Sequence, residues 1–262
     1  MLCVYLVNEE PVYIGILSFS LKTLRRYNPN IPVVVYYIQD NRKDSRYIPP
    51  LAGAVDILKD LPNDYVSFSK LCEELGVEVR VRIPKQKESY HSLHRMLLQE
   101  VSEETVLLLD GDTFIFGSIE DFPKIYAGHD FVATPNSWGL SGSIPGMDPT
   151  FKMFNSGVVL CQNGIFSKWM GSIGEYCRGL YDGSHPYSQW LWSQSPACVG
   201  REEFAATLFV VDNKLKYSYF SGSHVQMGEY NGDALVLHTL GQNWIKFHRK
   251  CFRKKLFKPI LR

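Results

Sequence analysis

Thr105-Val106-Leu107-Leu108-Leu109-Asp110-Gly111-Asp112-Thr113 is the stretch on which the fold turns. Its apolar run predicts a buried strand, and the run stops at two carboxylates with one glycine between them. Side chains two apart in an extended segment point the same way, so Asp110 and Asp112 can share one target. Gly111 between them lets backbone or ligand approach closely. Carboxylates at the end of an α/β strand suit a hard divalent cation and the phosphates it carries. Asp-Gly-Asp is also good turn chemistry, and the motif alone leaves both readings open.

Working outward, Leu2–Val7 predicts a first strand and Ile31–Ile38 a second. Between them Val12–Tyr27 predicts a helix with Tyr13, Leu17, Leu21 and Leu24 on one face. Further helices are expected over Leu51–Leu61, Ser69–Leu75 and Ser92–Val101, the last with Leu93, Leu97 and Val101 as its stripe, and a strand over Glu78–Ile83. Strands alternating with helices imply an α/β fold with right-handed crossovers. The central sheet should be mainly parallel and flanked by helices, with ligands at the carboxyl ends of its strands. Past Asp112 the texture changes. The span 134–150 is rich in Gly, Pro and Ser, and Phe151–Leu160 predicts a strand. Asn163 looks like an N-cap before Ile165, Phe166, Trp169, Met170, Ile173 and Cys177 at helical spacing. Gly179–Gly200 reads as a long aromatic loop.

The 262 residues are 45% hydrophobic, enough for a real core, and the net charge of +1 gives no global basicity for nucleic acid. Six cysteines show no close pairing and no zinc-like spacing, as expected of reduced packing residues in a cytoplasmic protein. No signal peptide and no transmembrane window is expected. No repeat or clear linker interrupts the chain, which favours a single domain.

In this order the motifs resemble the nucleotide-sugar glycosyltransferases of the GT-A (Rossmann-like) fold, above all family 8, which holds lipooligosaccharide galactosyltransferases and glycogenin. Asp110-Gly111-Asp112 matches the family's Asp-x-Asp (DXD) motif, and Arg95 an arginine that faces the donor. Phe154-Asn155-Ser156-Gly157-Val158 matches the strand lining the sugar pocket. Leu237-His238-Thr239-Leu240-Gly241 matches the late His-x-x-Gly motif, whose histidine is the third metal ligand. The resemblance implies one GT-A domain over residues 1–262, with a nucleotide-binding half (1–112), a sugar and acceptor half (113–243) and a basic aromatic tail (244–262). It implies metal-dependent transfer of a sugar from a nucleoside diphosphate sugar, with a UDP-hexose preferred, to a hydroxyl of a glycan, glycolipid or glycoprotein. Retention is preferred over inversion. Asp112 and His238 are the candidate direct ligands of Mn²⁺ (or Mg²⁺), with Asp110 binding the ion directly or through water, or the donor ribose; oxygen ligands with one imidazole suit Mn²⁺. Candidate donor contacts are Asn8, Tyr13, Asp40, Arg95, Gly111, Asn155, Ser156, Gly241 and Lys246. Glu202 and Glu203 are the candidate catalytic carboxylates, and Trp138, Tyr187, Trp190 and Trp192 a candidate acceptor platform.

Two departures from the family stand out. Gln242-Asn243-Trp244-Ile245-Lys246 replaces the usual early lysine, so the diphosphate contact falls to Lys246, Asn243 or Trp244. Arg201-Glu202-Glu203-Phe204 puts glutamate where retaining members carry glutamine. Each candidate also has a plainer explanation. His238 suits a packed strand-end histidine, and Arg95, off its helix's apolar stripe, a solvated side chain. Asn155 and Ser156 suit partners of neighbouring backbone, and Glu202 and Glu203 suit first-turn acids favoured by the helix dipole. Asn8 and Asp40 suit strand-end turns, and the aromatics suit loop packing. The tail interleaves Lys250, Arg253, Lys254 and Lys255 with Phe252, Leu256 and Phe257. That pattern suits anionic lipid at the cytoplasmic membrane face, a solvated tail, or a segment closing over the diphosphate. Two other readings compete. A phosphohydrolase of the haloacid dehalogenase type also carries Asp-x-Asp after an apolar strand, but wants Thr or Val where Phe114 stands. A non-catalytic nucleotide-sugar- or glycan-binding relative is the other.

Overall fold

Strands buried on both faces need near-continuous apolar sequence, and the runs around residues 2, 33 and 106 supply it. The computed structural model describes residues 1–39, 61–84, 94–136, 144–148, 151–194, 202–228, 230 and 232–239. Among these, β1 (Leu2–Asn8), β2 (Val33–Ile38) and β4 (Val106–Leu109) form the middle of a seven-stranded sheet. Its other members are β3 (Glu78–Arg82), β6 (Phe131–Pro135), β7 (Phe154–Cys161) and β8 (Tyr217–Tyr219), in the order β3-β2-β1-β4-β7-β6-β8. Every neighbouring pair is parallel except the two that β7 makes, with β4 and β6. The mainly parallel sheet expected from the sequence is present, and β7 alone runs against it.

Helices cover both faces. On one, α1 (Pro11–Tyr27) and α2 (Tyr65–Glu74) bury Leu17, Leu21, Leu24, Phe68 and Cys72 against Tyr5, Val35 and Leu107. On the other, α4 (Ile165–Asp182) and α6 (Glu202–Asp212) bury Phe166, Trp169, Ile173 and Phe209 against Val4, Val34 and Leu108. A single turn, α3 (Phe122–Ile125), and α5 (Ser188–Gln194) complete the helices. A second sheet of β5 (Thr113–Ile115), β10 (Val236–His238) and β9 (Val225–Met227) continues where β4 ends.

Local chemistry moves several expected boundaries. Pro11 starts α1, in the first-turn position where its missing N–H costs nothing. Asp64 caps α2 by accepting the Ser67 N–H at 2.8 Å, so this helix starts before Ser69. Asn163 is not the cap of α4. Gly164 occupies that place in a left-handed conformation, and the Asn163 amide donates to Asp130 at 2.7 Å instead. Within the span 179–200 expected as a loop, the described residues 179–194 are mostly helical, since α4 runs to Asp182 and α5 follows. Apart from Leu61, the helix expected over 51–61 lies outside the described residues.

α1 holds β5 through polar groups. The Thr23 hydroxyl donates to Ser20's carbonyl at 2.7 Å and accepts the Ile115 N–H at 3.1 Å. Ser20 and Thr113 hydroxyls lie 3.2 Å apart, and Asn28 accepts the Ile119 N–H at 2.9 Å. All four side chains are buried. Thr23→Val keeps the shape and removes the acceptor, leaving a buried N–H orphaned at a cost of about 1–3 kcal/mol. Urea denaturation reads this as a lower midpoint at constant m. An unchanged midpoint would refute the role given to Thr23.

Candidate functional site

Asp110 closes β4, and the chain turns at once. The Thr113 N–H and hydroxyl both donate to the Asp110 carbonyl, at 3.2 and 2.8 Å. This tight turn carries Asp112 to the start of β5, where antiparallel pairing sets Thr113 opposite His238 of β10. The Thr239 N–H and hydroxyl then donate to the Asp112 carbonyl, at 3.2 and 3.0 Å. As a result His238 Nε2 lies 3.2 Å from Asp112 Oδ1 and 3.6 Å from Asp110 Oδ2. One ligand atom from each of Asp110, Asp112 and His238 falls within 4.8 Å of the others.

Arg95 enters from the 3₁₀ segment Arg95–Glu100 and is buried. Its Nη2 lies 2.8 Å from Asp110 Oδ1 and 3.9 Å from Glu202 Oε1, and its Nη1 donates to the Ser156 carbonyl at 2.9 Å. A solvated Arg95 is therefore ruled out. The stripe argument assumed α-helical spacing, whereas a 3₁₀ turn has three residues and buries Arg95, Leu98 and then Val101.

β7 reaches the site through a slip in register. Ala133 of β6 lies opposite Val159, but Thr134 lies opposite Asn155. Ser156, Gly157 and Val158 have no partner on β6 at that slip, and the Gly157 carbonyl accepts the Asp110 N–H at 2.7 Å. Asn155 Oδ1 takes the Gly157 N–H at 2.9 Å, a backbone role, and Asn155 and Ser156 are both buried. Asn8 likewise serves a turn, accepting the Glu10 N–H at 3.2 Å, and Tyr13 is exposed. A Cβ on Gly111 would meet Leu17 at 3.5 Å, an ordinary contact, so packing alone does not require glycine there. Glu202 and Glu203 open α6 and are half-buried.

The aromatic candidates divide. Trp190 packs on Phe204 with ring centroids 5.8 Å apart, and Tyr187 joins the same satellite cluster with Leu180, Leu191 and Leu208. Trp192 is exposed. Asp40, Trp138, Gly241, Lys246 and the basic tail lie outside the described residues. Sequence reasoning missed Thr113 and Thr239, which fix the two aspartate carbonyls. It also passed over Gly157 as a residue in its own right, although a glycine inside a strand often marks a bulge or a close approach.

Burial disfavours charge on Asp110, and Asp112 and Glu202 repel it further. Arg95 and His238 pull the other way, and the carboxyl stays above its ordinary range. Burial opposes the His238 imidazolium, but Asp112 and Asp110 outweigh it and raise the histidine above its usual value. Carboxylates outnumber fixed positive charge here. That surplus, together with an imidazole nitrogen turned towards two carboxylates, is a set of donors that could hold a divalent cation. The residues present fit a metal ion.

No protein-family model and no curated protein matches the chain. Solved structures do. An active-site Gln→Glu mutant of LgtC superposes with a TM-score of 0.56 at 15% identity, covering 92% of this chain and 88% of that one. The galactosyltransferase LgtC in complex with donor and acceptor sugar analogues gives 0.52 at 14% identity, covering 92% and 87%. The glycosyltransferase GlyE of Streptococcus pneumoniae TIGR4 gives 0.53 at 14% identity, and 97% of this chain spans 64% of GlyE. The chain has the GT-A fold of these glycosyltransferases.

The raised His238 pKa has a measurable consequence. In chelator-treated protein, the stability it contributes is complete below the unfolded value of 6.5 and is lost as pH rises through the higher folded value. Melting temperatures of wild type and His238→Gln, compared across pH 5.5 to 9, should differ most at the acid end. A difference that grows towards alkaline pH would contradict the arrangement.

Proposed function

We propose that the protein is a metal-dependent glycosyltransferase that moves a hexose from a UDP-sugar to a hydroxyl of a glycan or glycoconjugate. The observation that carries this reading is the convergence of Asp110, Asp112 and His238 at the carboxyl end of β4 in a GT-A fold. In this reading those three residues hold Mn²⁺, or Mg²⁺ in its place. Bound there, the ion supplies Lewis-acid stabilisation of the negative charge that grows on the leaving diphosphate.

The remaining roles belong to the chain itself. Arg95 holds Asp110 Oδ1, so that Oδ2 stays turned towards His238. In this reading the nucleotide lies over the ends of β1 and β2, with Asn8, Tyr13 and Gly111 as candidate neighbours; Asp40 and Gly241 are further donor candidates, and the diphosphate contact falls to Lys246, Asn243 or Trp244. Asn155 and Ser156 wall the sugar, and the 113–243 half carries the acceptor, with Trp138, Tyr187, Trp190 and Trp192 as candidate contacts. Glu203, with Glu202 beside it, either holds the sugar and stabilises positive charge during retention or takes the acceptor proton during inversion. Retention is preferred. The reaction is assigned to the cytoplasm. Among the described residues no helix is long and apolar enough to cross a membrane. The fold likeness to glycosyltransferases favours transfer over phosphomonoester hydrolysis.

The test is a panel of UDP- and GDP-sugars, with and without Mn²⁺, followed by NMR for binding and slow donor hydrolysis. One donor should be hydrolysed in the presence of metal. Asp112→Ala should slow that hydrolysis by about a hundredfold or more, since it removes several kcal/mol of charge stabilisation. The anomer first released reports retention or inversion. If every nucleotide sugar fails to bind with or without metal, the proposal is wrong.

A further inference from the structure

We infer that Gly157 is a positioning residue: its bare α-carbon is the seat of the His238 imidazole, and that seat aims the ring at Asp110 and Asp112. The inference rests on the metal reading of this site and specifies what keeps its histidine in place. A Cβ built on Gly157 would lie 2.1 Å from His238 Cε1 and 2.6 Å from both ring nitrogens. Real carbon contacts do not come this close, so any side chain at 157 forces either β7 or the ring to move.

β7 is the side that cannot yield. The Gly157 N–H is held by Asn155 Oδ1 at 2.9 Å and its carbonyl by the Asp110 N–H at 2.7 Å. The preceding carbonyl, of Ser156, is held by Arg95 Nη1 at 2.9 Å. Gly157 is also absent from the positive-φ glycines, so alanine there meets no backbone strain of its own. The whole cost falls on the ring, which is buried and has Nε2 3.2 Å from Asp112 Oδ1. What Gly157 contributes is space rather than conformational freedom. Asn155 and Arg95 contribute by making that space rigid.

A double-mutant cycle on the full chain tests this, with Mn²⁺ alone titrated by calorimetry in the absence of donor. Gly157→Ala should weaken Mn²⁺ binding by about ten- to a hundredfold, the range for groups that orient a metal ligand. In the His238→Ala background the ring's space is vacant, and Gly157→Ala should change neither Mn²⁺ affinity nor melting temperature. Equal losses in both backgrounds would mean that the glycine serves the strand itself, and would overturn the inference, as would unchanged affinity in the single variant. If Gly157→Ala fails to fold, folding of the double variant supports the seat and its failure to fold refutes it. If wild type binds no Mn²⁺, the metal reading fails by itself. The seat is then judged by the ¹⁵N shifts of His238 in metal-free protein, where displacement by Gly157→Ala supports it and identical shifts refute it.

Discussion

The antiparallel pairing of Val236–His238 with Thr113–Ile115 is the constraint on which the site depends. Asp112 leaves the main sheet as soon as β4 ends, and His238 comes from a strand that never joins that sheet. Backbone hydrogen bonds between these two short strands put the carboxylate and the imidazole side by side, and Thr239 repeats the tie at the Asp112 carbonyl. β5 is in turn fixed from below by Thr23 and Ser20 of α1. Support therefore runs from α1, through β5, to the group of Asp110, Asp112 and His238, and each step is a hydrogen bond.

The charges of the site follow a different logic from its backbone. Burying Asp110 beside Asp112 and Glu202 opposes folding. Arg95 offsets part of that by taking one oxygen of Asp110 while its other arm grips the Ser156 carbonyl. A partly buried ion pair of this kind is weak evidence for net stability. It is better evidence for direction, because with Oδ1 engaged only Oδ2 remains to face His238. The arrangement keeps an unsatisfied demand for positive charge at one point of the molecule, which is what a binding site for a cation requires.

How much of this could be read from the chain varied with the range of the forces involved. β1, β2 and β4 were legible because burial on both faces leaves long apolar runs. α1 and α4 were legible because one apolar stripe recurs at helical spacing. The Asp110, Asp112 and His238 set was legible only through short motifs far apart in sequence, since nothing local ties residue 112 to residue 238. The burial of Arg95 was hidden by the choice between α and 3₁₀ geometry, which turns on packing against α4. The slip that brings Ser156 and Gly157 to the site was hidden for the same reason, because register is settled by partners and not by propensity. The span after Gly179 was misread because an interior glycine, tolerated in α4, was given the weight of a stop.

The pairing of β5 with β10 also fixes when the site comes into being. Asp112 and Thr239 are joined across 127 positions of sequence. A chain emerging from the ribosome can assemble β1, β2, β4 and α1 while β5 still lacks its strand partner, because local and near-local contacts close first. During that interval the carboxylates of Asp110 and Asp112 are present without the imidazole. Completion of the three-residue group thus coincides with the arrival of nearly all the described chain, and a product ended before β10 would lack His238 beside the two carboxylates.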